Sequence, residues 1–311
     1  MWFEHARAKK KKRRRIANGR KAVHMKYAEL HGQAQLSSPA RPTKPKIVVA
    51  NACLSFGRGA DTLRVLEGID FSVADGEIVT LIGPSGSGKS TILNLISDTL
   101  DAEGMHFDGK VSIDWRSDAR NRLGYVFQKD TLLPWRTLLR NVEVGLEIMG
   151  MPIEERRALA HRWIERLGLQ SFEHVYPHML SGGMRQRANI IRTLICNPEI
   201  VLMDEPFGAL DAQTRLLLQQ ILIDLWEASK PTICFVTHDL EESILLGNRV
   251  VLLSARPGRI QAIYEIDAPH PRDVIEFKTT PQFQNLYLRI WNDLKSNLAG
   301  HLAIAARGMT K

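Results

Sequence analysis

The chain has 311 residues, of which 44% are hydrophobic and 24% charged, and its formal net charge is +8. This composition excludes collagen-like, fully disordered and disulfide-scaffold proteins. No uninterrupted apolar run approaches the roughly 18–20 residues of a membrane span, so we expect that the chain does not cross a bilayer by itself. The three cysteines are widely spaced without a CxxC, which predicts a reducing compartment and neither a metal site nor a disulfide framework.

The positive charge is concentrated at the N-terminus. Residues 1–46 hold 14 Lys/Arg against 2 Asp/Glu, whereas the rest of the chain holds 28 against 32. Seven consecutive cations run from Lys9 to Arg15, and residues 37–45 are rich in Pro and Ser. We therefore predict a basic disordered tail and linker over residues 1–46. Three readings stay open: attraction to anionic lipid or nucleic acid, a plain solvated extension, or a true start at Met25.

From Ile47 onward, short apolar runs alternate with helical stretches. The runs are typical of strands buried on both faces, and they cover residues 78–82, 200–203, 232–236 and 250–253. Helical patterns over residues 153–167 and 214–228 lie between them. The alternation predicts an α/β fold with a mainly parallel sheet.

A glycine-rich loop follows the first of these runs and fits the full pattern GxxxxGK[ST]. It consists of Gly83, Pro84, Ser85, Gly86, Ser87, Gly88, Lys89, Ser90 and Thr91. Glycines let backbone N–H groups point inward at a phosphate, and the helix predicted over residues 89–96 aims its N-terminus at the same point. We expect Lys89 to reach the β- and γ-phosphates of a nucleotide and Ser90 to place its hydroxyl on Mg²⁺.

Two carboxylates end the apolar run over residues 200–203. At a strand end beside a phosphate loop, Asp204 is suited to hold Mg²⁺ through water. Glu205 is suited to accept a proton from an attacking water. The alternative is a pair of surface acids at a strand-to-loop junction, and their distance of about a hundred residues after the phosphate loop favours the catalytic interpretation.

The string LSGGMRQ over residues 180–186 predicts a second anion site. Ser181 is a typical helix N-cap, and Gly182 and Gly183 leave backbone N–H groups uncovered. Bare N–H groups and the helix dipole together attract negative charge.

With these motifs in this order, the sequence resembles the ATP-binding cassette (ABC) ATPases over about residues 47–266. Four further family elements follow the same order: Phe56 at the position that stacks on adenine, Gln128 of the Q-loop, Asp211 of the D-loop and His238 of the switch. Phe56 has a serious alternative as a core residue. The D-loop departs from the family in beginning with Gly208 where Ser is commonest, and residues 98–122 are irregular enough to predict a variable arm.

The resemblance implies a P-loop NTPase of ABC type, with a mainly parallel sheet, flanking helices and an antiparallel β arm. It places a helical subdomain at about residues 129–185, and we expect residues 267–311 to form a helical extension with an amphipathic helix over 283–298.

The resemblance also implies ATP hydrolysis with ATP and Mg²⁺. Lys89 and the loop backbone would bind phosphates, while Ser90, Gln128 and, through water, Asp204 would hold Mg²⁺. Glu205 would polarise the water and His238 would touch the γ-phosphate. Residues 181–183 would serve the nucleotide of a partner cassette in a homodimer or pseudo-dimer, and Asp211 would belong to the nucleotide site.

Residues 131–137 and 253–260 look like the nitrate/sulfonate/taurine group of bacterial importers. This resemblance implies an ATPase subunit on the cytoplasmic face of the cell membrane. Membrane permease subunits would be direct partners, an extracytoplasmic solute-binding protein an indirect one, and no nucleic acid is expected. Trp135 would face the permease unless it is local core. The alternative function is a soluble ABC ATPase that acts on nucleic acid through the basic tail.

Overall fold

The computed structural model describes residues 45–57, 62–100, 103–116, 122–268, 270 and 272–308, and over 297–308 it describes the helix backbone alone. Apart from Pro45 and Lys46, the predicted basic tail lies outside this part of the chain.

The described strands form two sheets. They are β1 (Pro45–Phe56), β2 (Leu63–Ala74), β3 (Ile78–Ile82), β4 (Met105–Ile113), β5 (Leu123–Val126), β6 (Ile200–Asp204), β7 (Thr232–Val236), β8 (Arg249–Leu253) and β9 (Ile260–Glu265). A six-stranded sheet has the order β5-β6-β7-β3-β8-β9 and is parallel except for β9. A three-stranded antiparallel sheet has the order β2-β1-β4.

The described α-helices occupy the connections between strands and the C-terminal region. They are α1 (Lys89–Ile96), α2 (Leu138–Val142), α3 (Val144–Ile148), α4 (Ile153–Arg166), α5 (Gly182–Leu194), α6 (Ala212–Ser229), α7 (Leu240–Leu246), α8 (Val274–Lys278) and α9 (Pro281–Gly308). Two short 3₁₀ turns, Gln170–Phe172 and Pro177–Met179, precede α5. In the described part of the chain, none of these helices is both long and apolar enough to span a membrane.

The six-stranded sheet is the middle layer of the molecule, and its side chains alternate between two apolar cores. Ile78 and Ile82 of β3 pack on the side that carries most of the helices. Val79 and Leu81 pack on the opposite side, with β1, β2 and α1. All five residues of β3 are buried, as expected for a strand covered on both faces. The predicted α/β fold with a mainly parallel sheet is therefore confirmed.

The expected arm and the expected extension both contain regular structure. Strand β4, within the irregular residues 98–122, pairs antiparallel with β1. Helices α2 to α4 lie in the range predicted as the helical subdomain, and the division into domains stays a prediction. Helix α9 extends beyond the predicted 283–298 at both ends. Its Phe283 and Ile290 are buried in the helical core, so this helix packs on the body.

His270 carries a largely buried imidazole, with 9% of the side chain exposed. Its ring packs on Trp226 with the ring centroids 4.5 Å apart. Burial lowers the pKa of the imidazole from its usual 6.5 to about 3, and the cations Arg272 and Lys230 act in the same direction. Glu227 lies 3.6 Å from Nδ1, too far for a hydrogen bond that would offset burial. The native protein therefore holds this ring neutral.

Replacing His270 by phenylalanine is expected to flatten the pH dependence of stability. The unfolded chain binds a proton here below about pH 6.5 and the native chain only near 3, so the histidine's contribution is complete above pH 6.5 and is lost as the pH falls. Between these two pKa values, the histidine contributes roughly 1.4 kcal/mol per pH unit to the slope of the unfolding free energy against pH, and the variant lacks this contribution. Urea unfolding at pH 5 and pH 8 measures it. Asn248 Nδ2 lies 3.3 Å from His270 Nε2, which accepts its hydrogen bond in the neutral ring. At pH 8 the variant should lose about 1 kcal/mol, because the Asn248 amide loses this acceptor. Parallel pH profiles for both proteins would contradict this assignment.

Candidate active site

The phosphate loop connects β3 to α1, and its glycines are required by close backbone packing. Gly83 has φ +155°, and a Cβ there would lie 2.7 Å from the carbonyl oxygen of Leu253. Gly88, with φ +88°, is the N-cap residue of α1, and a Cβ there would lie 2.4 Å from a methyl group of Leu66. Side chains at either position would push the loop away from the sheet, which explains why the pattern needs glycine.

Lys89 is buried at the start of α1 with its amine turned back over the loop. Nζ donates to the carbonyl oxygens of Gly83 at 2.9 Å and Pro84 at 3.0 Å. Burial lowers the pKa of the amine, and the carboxylates of Glu205 and Asp204 partly oppose that shift. The loop thus carries a desolvated cation among oxygen acceptors, which is an environment where an anionic phosphate oxygen would bind strongly.

Ser90 and Asp204 meet beside the loop, with Ser90 Oγ donating to Asp204 Oδ1 at 3.0 Å. Burial raises the pKa of the Asp204 carboxyl, the Ser90 hydrogen bond lowers it and nearby Glu205 raises it further. A hydroxyl and a buried carboxylate are the hard oxygen donors that Mg²⁺ prefers, together with water and substrate phosphates. Among the residues that the structure describes, no group of three or more His, Cys, Asp or Glu could hold a metal. The oxygen donors of Ser90 and Asp204 fit Mg²⁺ that is shared with a nucleotide.

Glu205 is the meeting point of three distant chain segments. Its Oε2 accepts a hydrogen bond from Gln128 Nε2 at 3.0 Å and lies 3.2 Å from His238 Nδ1. Strands β6 and β7 are adjacent, with Asp204 paired to Val236, so the residues that follow each strand emerge together. The backbone of Glu205 has φ +45°, an uncommon value for a residue other than glycine. The sequence-predicted residues Gln128, Glu205 and His238 thus lie at one place.

The glycine-rich start of α5 is an exposed helix N-terminus. Ser181 caps it by accepting a hydrogen bond from the Met184 N–H at 3.3 Å. A Cβ at Gly182 would meet no atom within 4 Å. Gly183 faces Leu210, at the end of the predicted D-loop. Gly183 therefore adjoins the D-loop, and a role of residues 181–183 at the nucleotide of a partner cassette stays a prediction.

Asp211 and Phe56 make contacts within their own chain that are not specific to a nucleotide site. The Asp211 carboxylate caps α6, accepting from the N–H groups of Gln213 at 3.1 Å and Thr214 at 3.0 Å, and these bonds lower its pKa. The carboxylate thus already accepts two hydrogen bonds from its own chain. Phe56 is half-buried at the end of β1 and packs against the core on that side of the sheet. Nucleotide contacts for both residues stay predictions.

Sequence reasoning missed a buried polar network behind His238. The Thr237 hydroxyl donates to Glu242 Oε2 at 2.7 Å and accepts from the Asp239 N–H at 3.0 Å. Arg215 donates to the Leu210 carbonyl at 3.2 Å, and its Nε lies 3.7 Å from Glu242 Oε1. Each residue alone is an ordinary polar side chain. The network forms because folding packs these side chains together, and no local sequence pattern predicts that packing.

Comparisons with known proteins find ATP-binding proteins of ABC transporters, in agreement with the resemblance in the sequence. A family model described as ABC transporter matches residues 66–208. An uncharacterized ABC transporter ATP-binding protein of Methanocaldococcus jannaschii is 44% identical over 260 residues, which cover 82% of this chain and 93% of that protein. The aliphatic sulfonates import ATP-binding protein SsuB of Bacillus cereus is 41% identical over 237 residues, covering 76% and 90%. A dimeric ATP-binding cassette solved in a post-hydrolysis state with ADP and Pi aligns with a TM-score of 0.63 and 32% identity, covering 72% of this chain and 100% of that one.

Proposed function

This chain belongs to the ABC transporter family of ATP-binding proteins, and from that membership we propose that it is the ATPase subunit of an importer. It would energise uptake of a small solute of the nitrate, sulfonate or taurine type through a separate permease. ATP hydrolysis is carried by one observation, the contact of the Glu205 carboxylate with both Gln128 and His238 beside the phosphate loop. The importer assignment is supported by the similarity to the sulfonate import protein.

In the proposed mechanism the loop N–H groups and Lys89 bind the phosphates of ATP. Glu205 accepts a proton from the attacking water at its carboxylate, and His238 orients that water and the γ-phosphate. Ser90, Gln128 and, through water, Asp204 would hold Mg²⁺, which when bound supplies neutralisation of the phosphate charge.

The exposed start of α5 fits a two-fold dimer in which each chain completes the other's site. Two solved structures of a cassette that aligns with this chain are dimeric. ATP would favour the closed dimer by binding it better than the open one, and hydrolysis would release it.

Trp135 supports contact with a permease. Its side chain is 71% exposed, which is uncommon for tryptophan and excludes the alternative that it is local core. The buried Asn141 amide holds the loop beneath it. Its Oδ1 accepts from the Leu133 N–H at 2.7 Å, and its Nδ2 donates to the Arg136 carbonyl at 2.9 Å. An exposed aromatic side chain on a loop that is held by hydrogen bonds is typical of an anchor at a protein interface.

A groove of about 740 Å³ adjoins Trp135. Its lining includes Arg136, Arg140, Glu147, Arg157, His174 and Tyr176. Cations outnumber carboxylates in this lining, so the groove suits a permease segment that presents an apolar side chain together with an acidic group. A subunit that docks on a permease in this way would lie on the cytoplasmic face of the cell membrane, with a solute-binding protein as an indirect partner. The solute itself is recognised by those other chains.

Replacing Trp135 by glutamate is expected to release the permease without abolishing ATP binding. The tagged full chain would be purified from its own host in mild detergent with ATP, and co-purifying proteins identified by mass spectrometry. The matched control is Trp291→Glu, because Trp291 is also exposed, at 45%, but lies on α9. We expect the unaltered chain and the Trp291 variant to retain a multi-span membrane protein that the Trp135 variant loses.

Recovery of nucleic acid or ribosomal proteins without a membrane partner would overturn the importer assignment. It would favour the alternative ATPase that acts through the basic tail, and deletion of residues 1–46 would then remove that binding. Equal loss of the permease from both tryptophan variants would refute the role of Trp135 alone.

A further inference from the structure

His238 is exposed, so packing does little to hold its imidazole. The side chain is 64% exposed, and within the described residues its ion-pair partner is Glu205. A catalytic group that is not fixed by its surroundings loses much of its effect, because misplacement by about 1 Å costs up to a hundredfold in rate. The placement of His238 therefore depends on the backbone that carries it as well as on its contact with Glu205.

That backbone is fixed on both sides of His238 by the preceding residue. The Thr237 N–H donates to the Leu81 carbonyl at 3.2 Å, which ties the loop to β3. The Thr237 hydroxyl accepts from the Asp239 N–H at 3.0 Å and donates to Glu242 Oε2 at 2.7 Å. The bond from the Asp239 N–H closes a short turn around His238. The bond to Glu242 anchors this turn to the first turn of α7.

The two hydrogen bonds of the Thr237 hydroxyl, to the Asp239 N–H and to Glu242, form a brace. The residues at its far end are themselves held by neighbouring elements. Glu242 is buried, and its Oε1 accepts a hydrogen bond from Gln219 Nε2 of α6 at 3.3 Å. Asp239 caps α7 through Oδ1, and its Oδ2 lies 3.5 Å from the Arg215 guanidinium. Arg215 also donates to the Leu210 carbonyl, at the end of the segment expected to face the partner cassette. The residues that hold Thr237 are therefore themselves bonded to α6 and, through Arg215, to the D-loop.

We propose that Thr237 is a positioning residue for hydrolysis, whose hydroxyl, locked between Glu242 and the Asp239 N–H, holds His238 in contact with Glu205. This rests on the catalytic roles proposed above for His238 and Glu205. Thr237 itself touches neither ATP nor the attacking water. Its removal should therefore lower turnover and leave nucleotide binding unchanged.

Thr237→Val tests the brace because valine has nearly the same shape and lacks the hydroxyl. Steady-state hydrolysis by the full chain at saturating Mg²⁺ and ATP should fall about tenfold or more, with KM for ATP unchanged. Thr237→Ser restores the hydroxyl and should restore most of the turnover. The matched control is Thr80→Val, which deletes another buried hydroxyl that donates to the Ser243 and Arg249 carbonyls at 3.2 Å. It should lower stability and leave turnover unchanged.

A double-mutant comparison separates positioning from a general structural effect. In a His238→Ala background, adding Thr237→Val should cause almost no further loss of turnover, because the residue acts through His238. An undiminished further loss would overturn the proposal. The comparison uses the residual turnover of His238→Ala as its baseline. Full activity of Thr237→Val beside an impaired His238→Ala would overturn the brace alone, whereas full activity of His238→Ala would refute the role of His238.

Amide hydrogen exchange gives a readout that does not depend on hydrolysis. In the unaltered chain the Asp239 N–H is bonded to Thr237 Oγ1, so its exchange should be slow. Thr237→Val should accelerate exchange at Asp239 about tenfold or more while Thr237→Ser does not, since protection follows the hydrogen bond. Unchanged exchange in the valine variant would show that the hydroxyl does not hold the loop.

Discussion

Glutamine in place of Glu205 is expected to abolish steady-state ATP hydrolysis while leaving ATP binding intact. Glutamine has the size of glutamate, and its amide oxygen still accepts the hydrogen bond that Gln128 donates at 3.0 Å. What disappears is the basic carboxylate that takes a proton from the attacking water. Loss of a positioned general base lowers turnover by about 10² to 10⁴. Phosphate release at saturating Mg²⁺ and ATP measures turnover, and a fluorescent nucleotide analogue measures binding.

The matched control is Glu241→Gln, which makes the same chemical change on the exposed first turn of α7. Glu241 pairs with Lys278 at 2.6 Å on the surface, and such pairs contribute little to stability. This variant should hydrolyse ATP at the unaltered rate. If Glu205→Gln also turns over ATP normally, the base must be another group and the contact with His238 has a different purpose. An inactive variant should in addition accumulate as a closed dimer with ATP, which gel filtration would detect.

The sheet and the phosphate loop were predictable because their signals are local. The bounds of β3 and α1 agree with the predicted residues 78–82 and 89–96. A strand buried on both faces needs an apolar run, and the loop after it needs glycine where the backbone turns. Ser181 was likewise identified as a helix cap, and it accepts the capping hydrogen bond. In each case the chemistry lies within a few consecutive residues.

The arrangement around Glu205 depends on strand order, which local patterns do not contain. Gln128 follows β5 and His238 follows β7, on either side of β6 in the sheet. Resemblance to a family supplied their roles, and only the folded sheet brings the two side chains to one carboxylate oxygen. The Thr237 network was missed for a related reason, because its residues become partners only once α6 and α7 bury them together.

Helix α9 illustrates a different limit. The amphipathic pattern predicted a helix over residues 283–298, whereas the helix spans Pro281–Gly308. Periodicity locates the face that packs on the body, such as Phe283 and Ile290, but it does not determine where a helix ends. Gly300 lies inside the helix, where a glycine costs only about 1 kcal/mol relative to alanine. A single unfavourable residue is therefore insufficient to end a helix whose neighbours are favourable.

Removing the amine of Lys89 is expected to weaken nucleotide binding itself, in contrast to the loss of turnover alone at Glu205. The amine is buried over the phosphate loop, 2.9 Å from the Gly83 carbonyl. Charge-assisted hydrogen bonds contribute roughly 1.5–3 kcal/mol each, so Lys89→Ala should weaken ATP binding about 10- to 100-fold. Equilibrium titration with a fluorescent ATP analogue measures the dissociation constant, and a weaker dependence on salt should accompany the loss.

Lys230 provides the comparison that separates a binding role from the cost of deleting a buried cation. Burial lowers its pKa as it does that of Lys89, but its amine lies 3.4 Å from the centre of the Trp226 ring, after α6 and away from the loop. Lys230→Ala should reduce stability and leave the dissociation constant for ATP unchanged. If Lys89→Ala binds ATP as tightly as the Lys230 variant, the loop amine does not contact phosphate. A selective loss at Lys89 would mean that its charge recognises the nucleotide, because both variants remove a cation whose pKa burial lowers and only one removes it from the loop.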